Sequence, residues 1–195
     1  GCVEGQQYQF RVEAVDEAMN VSNRSLYTTV LHADRTPPVW NSDVSLTASL
    51  VSEQTFWLSW EAAVDNVGIS KYRVYLDGAE YGLTEAGRLS LFVDGLEEYE
   101  LYLAEVFAED LAGNITAESL ASTIRTLDST APSWNEAERL DLVSTGETFL
   151  TLGWSPATDN DGVKNYHVFQ DNVELAVLDE NTLVLLVENL GTMYD

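Results

Sequence analysis

The sequence predicts an all-β chain built from tandem modules, and three observations carry that prediction. The chain aligns with itself without a gap at a shift of 94 positions. Apolar residues alternate with polar ones in short runs. The runs are separated by Asp-Gly, Asp-Asn and Ala-Gly-Asn turns, and no helical period of useful length interrupts them.

The repeat comes first because a missed period misassigns the whole fold. Trp60 falls on Trp154, and Asp34-Arg35-Thr36-Pro37-Pro38-Val39-Trp40 on Asp128-Ser129-Thr130-Ala131-Pro132-Ser133-Trp134. Asp65, Asn66, Gly68, Tyr72, Val74 and Asp77 meet Asp159, Asn160, Gly162, Tyr166, Val168 and Asp171. At the other end Gly1, Tyr8, Val12, Ala14, Asp16 and Asn20 meet Gly95, Tyr102, Val106, Ala108, Asp110 and Asn114.

The alternation assigns faces. In Thr55–Trp60 the inward set is Phe56, Leu58 and Trp60, matched later by Leu150, Leu152 and Trp154. Asp77-Gly78 and Asp171-Asn172 follow strands and read as hairpin turns that need a positive φ. Ala112-Gly113-Asn114 is a further turn between strands.

Length and composition bound the rest. The 195 residues suit roughly two domains of about 100 residues. A 45% hydrophobic content supports packed cores, so the acidity does not mean disorder. Asp and Glu number 33 against 9 Lys and Arg, a net charge of −24. Such a surface repels phosphate backbones and anionic headgroups, which argues against nucleic-acid binding and electrostatic membrane docking. Cations are its natural partners, and a saline extracellular setting fits it. The lone Cys2 excludes an internal disulfide and a cysteine zinc cage. It follows Gly1 as a lipidated cysteine would, but the repeat places it at the core position of Leu96. With no run of about 18 apolar residues, no membrane insertion is expected in this segment.

These residues resemble the fibronectin type III family, in the style of bacterial and archaeal secreted or surface proteins. The resemblance rests on Trp60 and Trp154, Tyr72 and Tyr166, Leu96 and Leu190, and Tyr8 and Tyr102. The loops Asp65-Asn66-Val67-Gly68 and Asp110-Leu111-Ala112-Gly113-Asn114 also match the family's wording. It covers the whole chain and implies tandem immunoglobulin-like sandwiches of seven strands, A, B, C, C′, E, F and G. On that reading residues 1–34 supply strands F and G of one domain, 35–128 make a complete domain, and 129–195 supply strands A to E of a third. The chain is then expected to be a window on a longer array, or else to borrow missing strands from a neighbouring copy, head to tail. Trp40 and Trp134 read as plugs that pack each linker on the sandwich that follows.

Enzyme motifs are absent. His32 lies near a linker and His167 beside inward Tyr166, and neither belongs to a nucleophile elbow, a HExxH motif or a phosphate-binding glycine loop. No catalytic residue is assigned and no cofactor is required.

Calcium is the candidate ion. The resemblance implies that the B–C and F–G loops share one pole with the incoming linker, gathering Asp34, Asp65, Asn66 and Asp110, with Asp128, Asp159 and Asp161 in the next unit. Hard oxygen ligands from several loops suit Ca²⁺, and Asp159-Asn160-Asp161-Gly162 resembles the opening of a calcium loop. The competing reading is that Asp, Asn and Gly are ordinary turn formers.

By strand parity Trp57, Tyr75, Leu103, Phe107 and Phe169 face outward. They form cross-strand braces, a lateral contact with other copies, or a patch for surface glycans. Sequons stand at Asn20, Asn23 and Asn114 as candidate glycosylation sites. The leading functional expectation is a non-enzymatic structural or adhesive repeat of an extracellular or cell-surface fibre or stalk. The alternative is a set of accessory modules of a secreted polysaccharide-degrading enzyme.

Overall fold

The computed structural model describes residues 1–188, and across them the chain is all-β. It divides into two compact units, Gly1–Leu127 and Asp128–Asp195. Leu190 lies outside the described residues.

The first unit opens with β1 (Gln7–Val12) and β2 (Leu26–Leu31), an antiparallel ribbon paired from Gln7–Leu31 to Val12–Leu26. Seven further strands follow: β3 (Thr47–Ser49), β4 (Phe56–Ser59), β5 (Ile69–Leu76), β6 (Ala79–Glu85), β7 (Ser90–Val93), β8 (Leu101–Asp110) and β9 (Leu120–Arg125). They form one sheet of order β3-β4-β7 and another of order β6-β5-β8-β9. With A to G assigned in chain order, this is A-B-E facing C′-C-F-G, the sandwich the resemblance implied.

The reason is the period-2 pattern. Phe56 and Leu58 on β4 and Tyr72 and Val74 on β5 are wholly buried, as are Ala104, Val106 and Ala108 on β8. Alternate residues of each strand thus turn into one core, each large apolar side chain contributing about 1.5–3 kcal/mol. Trp60 joins them as Phe56, Leu58 and Trp60 were assigned, its ring edge-on to Tyr72 at 5.7 Å. Between β5 and β6 the turn residues Asp77 and Gly78 have φ of 49° and 77°, as their sequence requires.

The second unit contains β10 (Asp141–Thr145), β11 (Phe149–Gly153), β12 (Asn165–Gln170), β13 (Val173–Asp179) and β14 (Val184–Glu188). Its sheets are β10-β11-β14 and β12-β13. Trp154 and Tyr166 repeat the ring contact at 5.7 Å, and Asp171 and Asn172 take φ of 50° and 66°. Leu150, Leu152 and Trp154 are only half-buried here, whereas alternation alone assigned them to a core. Among the described residues β12 pairs with β13 alone, so the faces of that ribbon have fewer strands to cover them.

Cys2 corrects a sequence expectation. Its register partner Leu96 is buried, but Cys2 is exposed, since among the described residues β1 and β2 form a sheet of two strands by themselves.

Candidate functional site

At one pole of the first unit three segments converge. Asp34 ends the stretch after β2, Asp65 lies in the loop between β4 and β5, and Asp110 closes β8. Each offers a carboxylate oxygen, and these oxygens lie within 4.8 Å of one another.

Each carboxylate is fixed by local turn chemistry. Asp65 Oδ1 accepts the backbone N–H of Val67 at 2.9 Å and of Gly68 at 2.8 Å. Asp34 Oδ1 accepts Thr36 N–H at 3.1 Å and the Asn66 amide at 3.2 Å. Asp110, 1% exposed, accepts Ala112 and Asn114 N–H on Oδ1 and the Asn114 amide on Oδ2. Burial pushes the Asp110 carboxyl up, but the bonds from Asn114, Ala112 and Gly113 outweigh it and hold it below the usual carboxylate value.

Two oxygens remain unused. Asp34 Oδ2 and Asp65 Oδ2 are buried and have no hydrogen-bond partner, although Asp34 is only 9% exposed. None of the three aspartates enters a salt bridge among the described residues.

Glu4 stands beside this cluster. Its Oε2 accepts the Thr36 hydroxyl at 2.6 Å and the Asn66 amide at 3.5 Å. The Thr36 bond is the main cause that holds Glu4 below the usual carboxylate value. Next to it Gly5, at φ +73°, comes so near Val67 that a Cβ would meet Cγ2 at 2.7 Å. Sequence reasoning did not single out Glu4, because its place depends on how the β1-β2 ribbon leans on the loop of Asp65.

Of the candidate ligands, then, Asp34, Asp65 and Asp110 come together. Asn66 turns its amide nitrogen toward Asp34 and serves as a clamp. In the second unit Asp159 Oδ1 likewise accepts Asp161 and Gly162 N–H and leaves Oδ2 buried without a partner. Asp128 Oδ1 accepts Thr130 N–H. Among the described residues, however, no cluster of three forms around Asp128, Asp159 and Asp161.

The outward aromatics pair across strands. Trp57 meets Phe92 at 5.3 Å and Tyr75 meets Phe107 edge-on at 5.7 Å. Leu103 is exposed on β8, and Phe169 stacks on His167 at 6.5 Å. Around the Tyr75–Phe107 pair runs an ionic network: Glu109 binds Lys71 at 2.9 Å and Arg73 at 2.6 Å, and Arg73 also reaches Glu80 at 2.9 Å. Outward parity on β5 and β8 could have revealed it, since Arg73 and Phe107 are register partners and Lys71 faces Glu109.

The sequons divide. The amide nitrogens of Asn20 and Asn114 are bound to Asp16 and Asp110, whereas Asn23 is exposed. His32 is exposed, and exposed His167 holds Glu174 at 2.7 Å.

A cleft of about 520 Å³ in the second unit is lined by Trp134, Trp154, Tyr166, Val168 and Phe169. The matching residues Trp60, Tyr72 and Val74 of the first unit pack into its core beside β8, so this cleft is the inner face of a sandwich sheet.

A tyrosine corner marks the fold. Tyr102 at the start of β8 accepts Glu97 N–H at 2.9 Å on its hydroxyl, and Tyr8 accepts Val3 N–H at 2.6 Å in the same way. No family model matches the chain. Over 126 residues it is 35% identical to chitinase A1 of Niallia circulans, which covers 61% of this chain and 17% of that protein. Over 138 residues it is 32% identical to exoglucanase B of Cellulomonas fimi, covering 67% of this chain and 12% of that one. The chain thus spans under a fifth of the length of these relatives. Among solved structures, a two-domain fibronectin type III segment of chicken tenascin is similar at a TM-score of 0.34 and 16% identity, over 80% of this chain and 84% of that one. Strand order, the tyrosine corner and sequence together make this a chain of fibronectin type III-like β-sandwich modules, similar to segments of a chitinase and an exoglucanase.

Proposed function

We propose that the chain is a non-catalytic accessory stretch of an extracellular polysaccharide-degrading protein, holding other parts of that protein apart. One observation carries this reading: the chain matches small segments of chitinase A1 and exoglucanase B at 35% and 32% identity, covering only 17% and 12% of each. A segment shared by two enzymes whose names state different activities is a module independent of either chemistry. Residues 35–128 serve as a complete sandwich, with residues 1–34 and 129–195 as parts of its neighbours.

The test is deletion of this stretch from the protein that carries it. Turnover of soluble chito- and cello-oligosaccharides stays unchanged, while hydrolysis of insoluble chitin or cellulose slows several-fold. Loss of soluble-substrate turnover in a deletion that remains folded defeats the reading.

The second reading is a structural or adhesive stalk at the cell surface, with copies of the protein or surface glycans as partners. It is favoured by the recurrence of the Trp–Tyr contact and of the linker bridge, Val39 with Val64 and Ser133 with Thr158, in successive units. Continuous filaments in negative-stain images of the carrying protein support this second reading; dispersed particles support the first.

A further inference from the structure

We propose that Asp34, Asp65 and Asp110 bind one calcium ion, which ties the segment after β2 to the pole of the β3–β9 sandwich.

An acidic cluster alone does not require an ion, since each carboxylate here also shapes its own turn. The turns leave the second oxygens of Asp34 and of Asp65 without a donor; that of Asp65 recurs at Asp159, where no cluster forms among the described residues, so the oxygen peculiar to this pole is that of Asp34. Both are buried without a partner, and Asp34 is more than nine-tenths buried. A carboxylate oxygen removed from water with nothing to accept from is costly. Three carboxylates with oxygens within 4.8 Å of one another add like-charge repulsion. A divalent cation relieves both at once, whereas a water molecule relieves only the first.

The donor set identifies the ion. The three aspartates offer carboxylate oxygen alone, which is the preference of a hard cation. Three carboxylates from three separate segments, each already held by backbone N–H groups, tolerate the irregular shell of Ca²⁺ better than the strict octahedron of Mg²⁺. Asn66 spans Asp34 and Glu4 without competing for the ion, because it presents its amide nitrogen to them. Glu4 lies at the edge and joins the β1-β2 ribbon to the same pole through Thr36. Binding therefore fixes Asp34 relative to Asp65 and Asp110, and with it the direction in which the chain enters β3.

The test uses the full chain, stripped with chelator and held in 150 mM NaCl so that diffuse screening is already present. Calorimetric titration with CaCl₂ should show one site of about 0.1–1 mM Kd, the range of extracellular modules. At tenfold that concentration the Tm of the first unit should rise by about 5 °C. Equal MgCl₂ should raise it by less than half as much. Asp34→Asn and Asp65→Asn keep Oδ1 for the backbone bonds and remove the charge, so each should weaken Ca²⁺ at least tenfold without lowering the Tm in chelator. The absence of binding heat and of any Tm rise in the unsubstituted chain overturns the site. So does a Ca²⁺ response that Mg²⁺ equals and both substitutions leave unchanged, because that is screening of the −24 surface.

Discussion

Trp60 and Trp154 occupy matching strands, each with a tyrosine ring at 5.7 Å, yet Trp60 is 5% exposed and Trp154 is only half-buried. The same contrast separates Leu58 from Leu152 and Phe56 from Leu150. The local geometry is equal: Ala63 N–H and Ala157 N–H each donate to the adjacent tyrosine hydroxyl at 3.1 Å. What differs is the neighbouring sheet, because β5 lies between β6 and β8 whereas β12 pairs only with β13 among the described residues. Alternation in the sequence therefore decides which way a side chain points, and the number of strands opposite decides how much that orientation stabilises.

The largest test of this contrast is truncation of the paired leucines. Leu58→Ala should destabilise the first unit by about 3 kcal/mol, from lost burial and the cavity left behind. Leu152→Ala, starting from a half-buried site, should cost about 1 kcal/mol. Urea denaturation followed at each unit measures both. Equal losses would mean that the strands opposite do not set the energy.

Next is the indole at each linker. Trp40 stacks on Tyr72 at 5.9 Å and donates to the Glu118 carbonyl at 3.0 Å, beyond β8. Trp134 lies at 6.2 Å from Tyr166 and donates to the Ser155 carbonyl at 2.8 Å, with half its surface exposed. One indole thus ties the linker to a distant loop and the other to a nearby one. Trp40→Phe should cost about 1.5 kcal/mol and Trp134→Phe about 0.5 kcal/mol. A larger loss at Trp134 would reverse the comparison.

Most of the fold was legible because its signals are local. The parity of Phe56, Leu58 and Trp60, the positive φ of Asp77 and the turn at Gly113 all follow from a few adjacent residues. The candidate site was legible in part. Asp34, Asp65 and Asp110 were singled out from the pole on which their loops meet, and they converge. Asp161 was grouped with Asp159 because Asp159-Asn160-Asp161-Gly162 resembles the opening of a calcium loop, but it occupies the place of Val67 at the turn tip and gives its backbone N–H to Asp159. Glu4 and the Lys71–Arg73–Glu80–Glu109 network depend on tertiary placement and cross-strand register, which no single segment encodes.

Tyr102→Phe and Tyr8→Phe compare the two tyrosine corners. Removing the Tyr102 hydroxyl frees the segment of Glu97 from a ring packed against the core, a cost of about 1 kcal/mol. Near the exposed ribbon, water replaces the Tyr8 hydroxyl at Val3 N–H, and the cost falls to a few tenths. Thermal melting of the two variants checks the ratio.

The smallest expected effect concerns two carboxylates in one turn design. Asp16 accepts the Asn20 amide and backbone N–H, and Asp110 accepts those of Asn114. Both carboxyls lie below their ordinary value. For Asp16 the chief cause is the Asn20 amide, while for Asp110 the bonds overcome an opposing burial. A depressed folded-state value contributes stability that is complete above the unfolded value of 3.8 and is lost as pH falls through the lowered one. With chelator present, Asp110→Asn should therefore be less stable than the parent at pH 7, and the gap should narrow below about pH 4. Asp16→Asn should show the same narrowing with a smaller gap, because water screens its exposed turn. The measurement is urea midpoint against pH for the three proteins, and a gap at Asp110 that stays constant to pH 2 would show that the ionised carboxylate is not what holds the turn.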